Sequence, residues 1–411
     1  MKNYFPNHKS ILGAFAVSSI ALSLGGCLEE DDTSNSLALS KYYGVVTTAD
    51  STGSESSGNI SIISLEDFST ANSVIPTGGS PDTSISTNGS SIYLIQRLPQ
   101  SSITNITPEF PEIESGATPT LEDVNTVEFT VGKEFSVEEG SNPHKLVVKD
   151  DNTAYVIRYG TDKIWIVNPS AQNSTDYKVD EIDLSDYAGT DGIAEATDAV
   201  LIENKLYVLI QNLDRDNSWT PGTAYIAIFN TIDNSEIETN TISTSPKGIA
   251  LKTTNPSKMD FLSTNNTIYV SSVGPYYPQD FTGGIEGINA TNYTTQIIVD
   301  DGDVNTHPYG QINNVAILNS TRGYFVGYSA WKDTAVYSFN PATGEVDTMP
   351  LIENIDISDI EVGPLGNLWV TNRDESGITI FNTVDNTVSK ALIDTDNVPN
   401  DIEFISLPIE N

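Results

Sequence analysis

Between Ser358 and Phe381 the chain reads Ser358-Asp359-Ile360-Glu361-Val362, then Trp369-Val370-Thr371-Asn372, then Ile378-Thr379-Ile380-Phe381. These are three short runs of β-branched and aromatic residues, parted by Gly, Asn and Asp, which is the pattern of successive strands. The first run opens on a polar pair and turns apolar. The same opening recurs at Pro81-Asp82-Thr83-Ser84-Ile85, Pro143-His144-Lys145-Leu146-Val147 and Thr197-Asp198-Ala199-Val200-Leu201. It returns at Pro246-Lys247-Gly248-Ile249-Ala250, Pro308-Tyr309-Gly310-Gln311-Ile312 and Asn400-Asp401-Ile402-Glu403-Phe404. Counted from the second residue of each, the gaps are 62, 54, 49, 62, 50 and 42. A period at or above about 40–50 residues is that of a four-stranded propeller blade.

A second strand led by an aromatic follows most openings, as in Tyr93-Leu94-Ile95, Tyr155-Val156-Ile157 and Tyr207-Val208-Leu209. A third follows a loop, as in Ile164-Trp165-Ile166-Val167 and Tyr225-Ile226-Ala227-Ile228-Phe229. Turn signals such as Asn340-Pro341-Ala342-Thr343-Gly344 then lead to an outer strand. The last opening, from Asn400, has no chain left to build a blade, while Tyr42 to Val46 reads as a second strand with no opening before it. The expectation is an all-β, seven-bladed β-propeller of four-stranded antiparallel blades, with the C-terminal strand completing the first blade. Such closure removes a free sheet edge. The Pro- and Ser-rich stretch 100–120 inside a 62-residue gap leaves six or eight blades as the alternative.

Trp369-Val370-Thr371-Asn372 followed by Ser376-Gly377-Ile378-Thr379-Ile380-Phe381-Asn382 resembles the YVTN-type propeller repeat, and Pro143-His144-Lys145-Leu146-Val147 resembles that family's strand opening. The resemblance spans 41–406 but is loose outside 141–170 and 355–400. It implies a propeller similar to lactonase-like proteins and to the quinoprotein amine dehydrogenase β-subunit. Those proteins share no single activity, so the fold alone implies none.

Residues 1–26 read as a signal peptide: Lys2 and Lys9 precede the short apolar run Ile11 to Leu24. Leu24-Gly25-Gly26-Cys27 resembles a bacterial lipobox, and Cys27 is the chain's single Cys, placed where acylation needs it. Residues 27–40 then form an acidic tether and 41–411 one propeller domain. Leu28 after the Cys, rather than Asp, favours the outer membrane by resemblance, with the membrane face left open. The expected membrane partner is therefore reached through a lipid anchor.

Composition excludes several classes. Acidic residues number 56 against 19 Lys and Arg, a formal charge of -37. Nucleic acid is not an expected partner, because a polyanion needs a basic patch. One Cys and three His leave no Cys-rich zinc site or many-His centre. A hydrophobic content of 38% still supplies a core.

In a propeller the openings lie at one mouth of the central channel. Asp82, His144, Asp198, Lys247, Tyr309, Asp359 and Asp401 are thus expected in a ring there, with His307 two residues before Tyr309. Such a ring would bind a cation or a polar small molecule. The competing expectation is that these residues cap strand starts and bond neighbouring backbone. The loops after the second strands of blades four to six add Trp219, Tyr276, Tyr277, Phe281 and Trp331. Rigid aromatic rings in loops suit ligand recognition.

No cofactor is indicated. Asp214, Asp216 and Ser218, like Asp301, Asp303 and Asn305, have the alternate spacing of a calcium loop without its Gly and closing Glu. Ca2+ or another divalent cation stays open as a ligand. No Gly-x-Ser-x-Gly elbow, phosphate loop or His-Glu-x-x-His pair occurs. The leading expectation is a binding or scaffold lipoprotein with its recognition face at the channel mouth. One alternative is a lactonase-like or other metal-assisted hydrolase using His144 or His307 with Glu361 or Glu403. The other is a structural partner of an outer-membrane transporter or assembly complex.

Overall fold

The computed structural model describes residues 40–50, 58–77, 81–109, 127–239 and 246–408. The signal segment, Cys27 and the tether up to residue 39 lie outside them. No helix among the described residues is long and apolar enough to cross a membrane.

The strands of the described residues form seven four-stranded antiparallel sheets, the seven blades, and one small two-stranded sheet. The innermost strands touch in sequence around a ring, and the last meets the first. Blade one joins both ends of the chain. Its three outer strands are Ser40–Ala49, Gly58–Ser64 and Thr70–Pro76, and its innermost strand is Val398–Pro408. Ile402 pairs with Val46 and Ile405 with Tyr43. The count of seven and the C-terminal closure agree with the sequence reading.

Second strands are apolar at their centres because both their faces are covered, and several end in buried polar residues such as Gln96, Ser272 and Asn372. Tyr155, Val156 and Ile157 are buried, as are all residues from Leu206 to Ile210. The turns leading to outer strands share one device. Asn168, Asn230, Asn289, Asn340 and Asn382 each accept, through Oδ1, the N–H two residues onward. That bond substitutes for a ladder bond and reverses the chain.

Facing blades bury the apolar layer between them. Between blades seven and one, Trp369 packs with Val46, Ile63, Ile378, Ile380 and Ile402. Gly44 makes room for it: a Cβ there would lie 2.7 Å from Trp369 Cζ3.

The ring has one register error relative to the sequence reading. Lys247 was expected in the opening of blade five. Instead Ile249–Ala250 is the outer strand of blade four, paired with Tyr225–Asn230. The innermost strand of blade five is Pro256–Leu262. The cause is local: Ile249 fills the core between blades four and five beside Tyr207 and Ile226. Outer and inner strands can both begin with polar residues followed by an apolar run.

Candidate functional site

The innermost strands enclose a channel lumen of about 730 Å³. Asp82, His144, Asp198, Asp359 and Asp401 line it, as expected. Three of the expected ring residues do not. Lys247 lies on the outer side of blade four, with its ammonium 3.3 Å from Glu236. Tyr309 packs edge-on against Phe325 and Tyr337 in the core between blades five and six. His307 stacks on Phe281 with ring centroids 4.1 Å apart, and its Nδ1 is 3.0 Å from the Asp303 carbonyl oxygen.

Three aspartates of the ring are spent on the fold, while Asp82 pairs with Arg97 at 3.4 Å. Asp401 Oδ2 accepts the Ile85 N–H of blade two at 2.8 Å, and Asp359 Oδ2 accepts the Ile402 N–H of blade one at 3.0 Å. Asp198 Oδ2 accepts the Met259 N–H at 2.8 Å, and Asp260, a residue the ring reading missed, accepts the Ile317 N–H at 2.6 Å. Each carboxylate thus ties one innermost strand to the next. Innermost strands of neighbouring blades belong to different sheets, so these N–H groups need a side-chain acceptor. Asp198, Asp359 and Asp401 thus bond neighbouring backbone, the competing expectation for the ring, and Asp260 adds a fourth such tie.

Two lysines balance part of this charge. Lys258 reaches from blade five to blade seven, 2.7 Å from Asp359 Oδ1 and 2.6 Å from Glu361 Oε1. Lys145 lies 3.2 Å from Asp198 Oδ1. Opposed carboxylates hold both lysines above their ordinary pKa despite burial, which acts the other way. Carboxylates still outnumber lysines. Burial, reinforced by Asp359 and Glu403, pushes Asp401 up to about 7, and burial likewise raises Glu361 and Glu403. Among the described residues no group of three or more His, Cys, Asp or Glu is arranged to hold a metal ion.

At the mouth a second cavity of about 570 Å³ opens among blades two to five. It shares Arg97, His144, Thr197 and Ser257 with the lumen. His144 lies parallel to Tyr159, 4.5 Å between centroids, with Nδ1 3.3 Å from Thr197 Oγ1. Burial, then the charge of Arg97, holds its imidazole well below the usual pKa, so it is neutral at neutral pH.

Of the predicted aromatics, Trp219 and Tyr276 line this cavity. Trp219 is carried by the two-stranded sheet of Leu213–Asp214 and Thr220–Pro221 and rests against Arg215, 5.0 Å from the guanidinium. Arg215 is held from below by the fully buried Glu195, Nε to Oε1 2.7 Å. The other three aromatics lie elsewhere. Tyr277 and Trp331 are 89% and 72% exposed, and Phe281 is buried against His307. Blade six contributes none because Trp331 sits at the tip of the tight hairpin joining Arg322–Ala330 to Asp333–Phe339, too short to fold back.

Sequence reasoning missed Arg97, Arg373, Tyr159 and Gln211. A signal for the first two existed. Each Arg directly follows a second strand, Ser91–Gln96 or Asn367–Asn372, in a chain with five Arg. Both line the lumen at its mouth.

No family model matches the sequence, and a search of curated proteins gives no match. Solved structures do share the fold. A candidate 6-phosphogluconolactonase from Bacteroides fragilis superposes with a TM-score of 0.59 at 12% identity, covering 91% of this chain and 100% of that one. A Pseudomonas aeruginosa periplasmic gluconolactonase gives 0.59 at 10%, covering 90% and 100%. A Lactobacillus plantarum protein gives 0.57 at 12%, covering 89% and 99%. At such identities the likeness is one of fold, and this chain is similar in architecture to lactonase-type propellers.

Proposed function

We propose that the protein is an envelope binding module of the YVTN-propeller type that takes a small polar molecule at its channel mouth. One observation carries this reading. The cavity among blades two to five is lined by recognition groups that the ring of strand-to-strand ties leaves unspent: Arg97, the neutral His144, Trp219 and Tyr276. Pockets that bind small molecules combine such aromatic walls with a few placed polar groups. Lipid anchoring at Cys27, from the Leu24–Cys27 lipobox, belongs to the same reading and places the module at the outer membrane. Among the described residues no feature favours a scaffold role or the structural-partner alternative.

Calorimetry against a panel of neutral, acidic and basic metabolites tests the site. Binding to at least one compound, weakened by about 1–3 kcal/mol in Trp219→Ala, is the expected result. A ligand that binds the Trp219→Ala and Arg97→Met variants as tightly as the parent would place the site elsewhere. For the anchor, Cys27→Ser should move the protein from the membrane to the soluble fraction.

A second reading, hydrolysis of a cyclic ester, is favoured by the juxtaposition of His144 and Arg97. A neutral imidazole can take a proton from water, and a neighbouring guanidinium can face a developing oxyanion. Turnover of lactones that is lost in His144→Gln while binding is kept would select this reading over simple capture.

A further inference from the structure

The lumen under the mouth has two unsatisfied regions of opposite sign. At the rim, Arg97 and Arg373 stand on blades two and seven, either side of blade one, and line one cavity. The Nε–H of each is buried without an acceptor. Their terminal nitrogens make single ion pairs of 3.4 Å to Asp82 and 3.6 Å to Asp356. Strong charge-assisted bonds run at about 2.7–2.9 Å, so much of the donor capacity of both guanidinium groups is unused. A planar oxyanion is the acceptor that fits a guanidinium fork.

Deeper, the lysines are taken. Lys258 uses its ammonium on Asp359, Glu361 and the Ile360 carbonyl, and Lys145 pairs with Asp198. Asp359 and Asp401 are bonded to backbone N–H groups. What remains is Glu403, whose carboxylate makes none of the lumen's ion pairs among the described residues, although the charges of Lys145 and Lys258 reach it. With it is Asn314, 6% exposed, whose Nδ2 donates to Asp359 while its Oδ1 has no donor. Both are acceptors facing the same lumen. Glu403 lies two residues along the innermost strand from Asp401, so about 7 Å along it.

A simple anion would satisfy the rim but add charge to a lumen where acids already exceed lysines. A simple cation would satisfy Glu403 and Asn314 but leave both guanidinium groups unmatched. We propose that the ligand taken through the mouth is a zwitterion that enters the adjoining lumen, with its carboxylate on Arg97, which the two cavities share, and Arg373, and its ammonium group lowered toward Glu403 and Asn314. The inference rests on the binding-module reading and names the ligand class within it. Burial raises the Glu403 pKa, and an incoming positive charge would act the other way, as the nearby lysines already do.

The test uses the full chain and titration calorimetry at fixed ionic strength. The probes are glycine, γ-aminobutyrate and ε-aminocaproate, with butyrate and butylamine as single-ended comparators. At least one amino acid should bind tenfold or more tightly than both comparators. Glu403→Gln, which breaks no ion pair of the fold, should weaken that amino acid at least tenfold and leave butyrate unchanged. Arg97→Met should do the reverse, weakening the acid-bearing probes and sparing butylamine. Equal affinity for a comparator and its amino acid, or no amino acid binding at all, overturns the inference. If the amino acids fail while another metabolite binds in a Trp219-dependent way, the zwitterion falls and the binding module stands. If nothing binds, both fall.

Discussion

The Asp401 carboxylate accepts the Ile85 backbone N–H at 2.8 Å, a bond between residues 316 positions apart in the chain. It fastens the C-terminal strand, which closes blade one, to the start of blade two. The same bond type recurs from Asp198, Asp260 and Asp359, so the channel wall is built from carboxylates acting as strand-to-strand acceptors.

Asp401 gives this construction a pH signature. Its folded pKa of about 7 exceeds the value of about 3.9 in an unfolded chain, so the native state holds the proton more firmly between those values. Stability should therefore be greatest at the acid end of that window and fall as pH rises toward 7. Asp401→Asn keeps an acceptor for Ile85 and removes the charge. Its melting temperature should match the parent near pH 4 and exceed it by roughly 1–3 °C at pH 8. A variant that melts lower at both pH values would show that the charge itself stabilises the ring.

Gly44 and Trp369 should couple. Gly44→Ala places a Cβ 2.7 Å from Trp369 Cζ3, an overpacking expected to cost about 1–3 kcal/mol. Trp369→Leu should itself be costly, because the Trp is fully buried. In the Trp369→Leu background, however, Gly44→Ala should cost less than about 0.5 kcal/mol. Urea unfolding of the four proteins as a double-mutant cycle measures the coupling.

Arg215→Ala should destabilise strongly and in a pH-dependent way. It strands Glu195, whose side chain is fully buried and bonded otherwise to the Leu213 N–H at 2.9 Å. Removing one partner of such a pair costs about 3–5 kcal/mol. Burial already pushes Glu195 up to about 7, and loss of the guanidinium pushes it further. The penalty should thus be large at pH 8 and shrink at pH 5, where the carboxyl is protonated. Denaturation midpoints at the two pH values check this, and Glu195→Gln in the Arg215→Ala background should recover part of the loss at pH 8.

The His144 ring should stay neutral in mildly acidic solution. Burial and the Arg97 charge both disfavour its cation, and stability should fall as pH drops below about 6.5, where an unfolded histidine takes up a proton. Nitrogen-detected NMR should show a neutral imidazole at pH 6. Arg97→Met should raise its pKa, and an unchanged titration would mean that burial alone sets it.

Much of this architecture was legible because blades repeat. Ser358 to Phe381 and its echoes contain strand, turn and period in local form, and the orphan strand at Asn400 already implied closure. Tyr42 to Val46 and Asn400 to Ile405 need each other's backbone groups, and the sequence holds both halves. The site was legible only in part. Openings of innermost strands place Asp82, His144, Asp198, Asp359 and Asp401 in the channel, whereas Tyr309, two residues before the innermost strand of blade six, turns into the core between blades five and six. Lys247 failed because an outer strand can begin with the same pattern, and only pairing with Tyr225–Asn230 separates the two. Which aromatics turn inward depended on loop length and on supports outside the loop, such as Glu195, which holds Arg215 under Trp219. The sequence by itself determined the strands, the turns and their repetition, since those follow from alternation and turn chemistry over a few residues. Only the tertiary structure decided which charges are spent on holding the ring and which stay outside those ties, because each carboxylate's partner lies on the next blade, some forty to three hundred residues away.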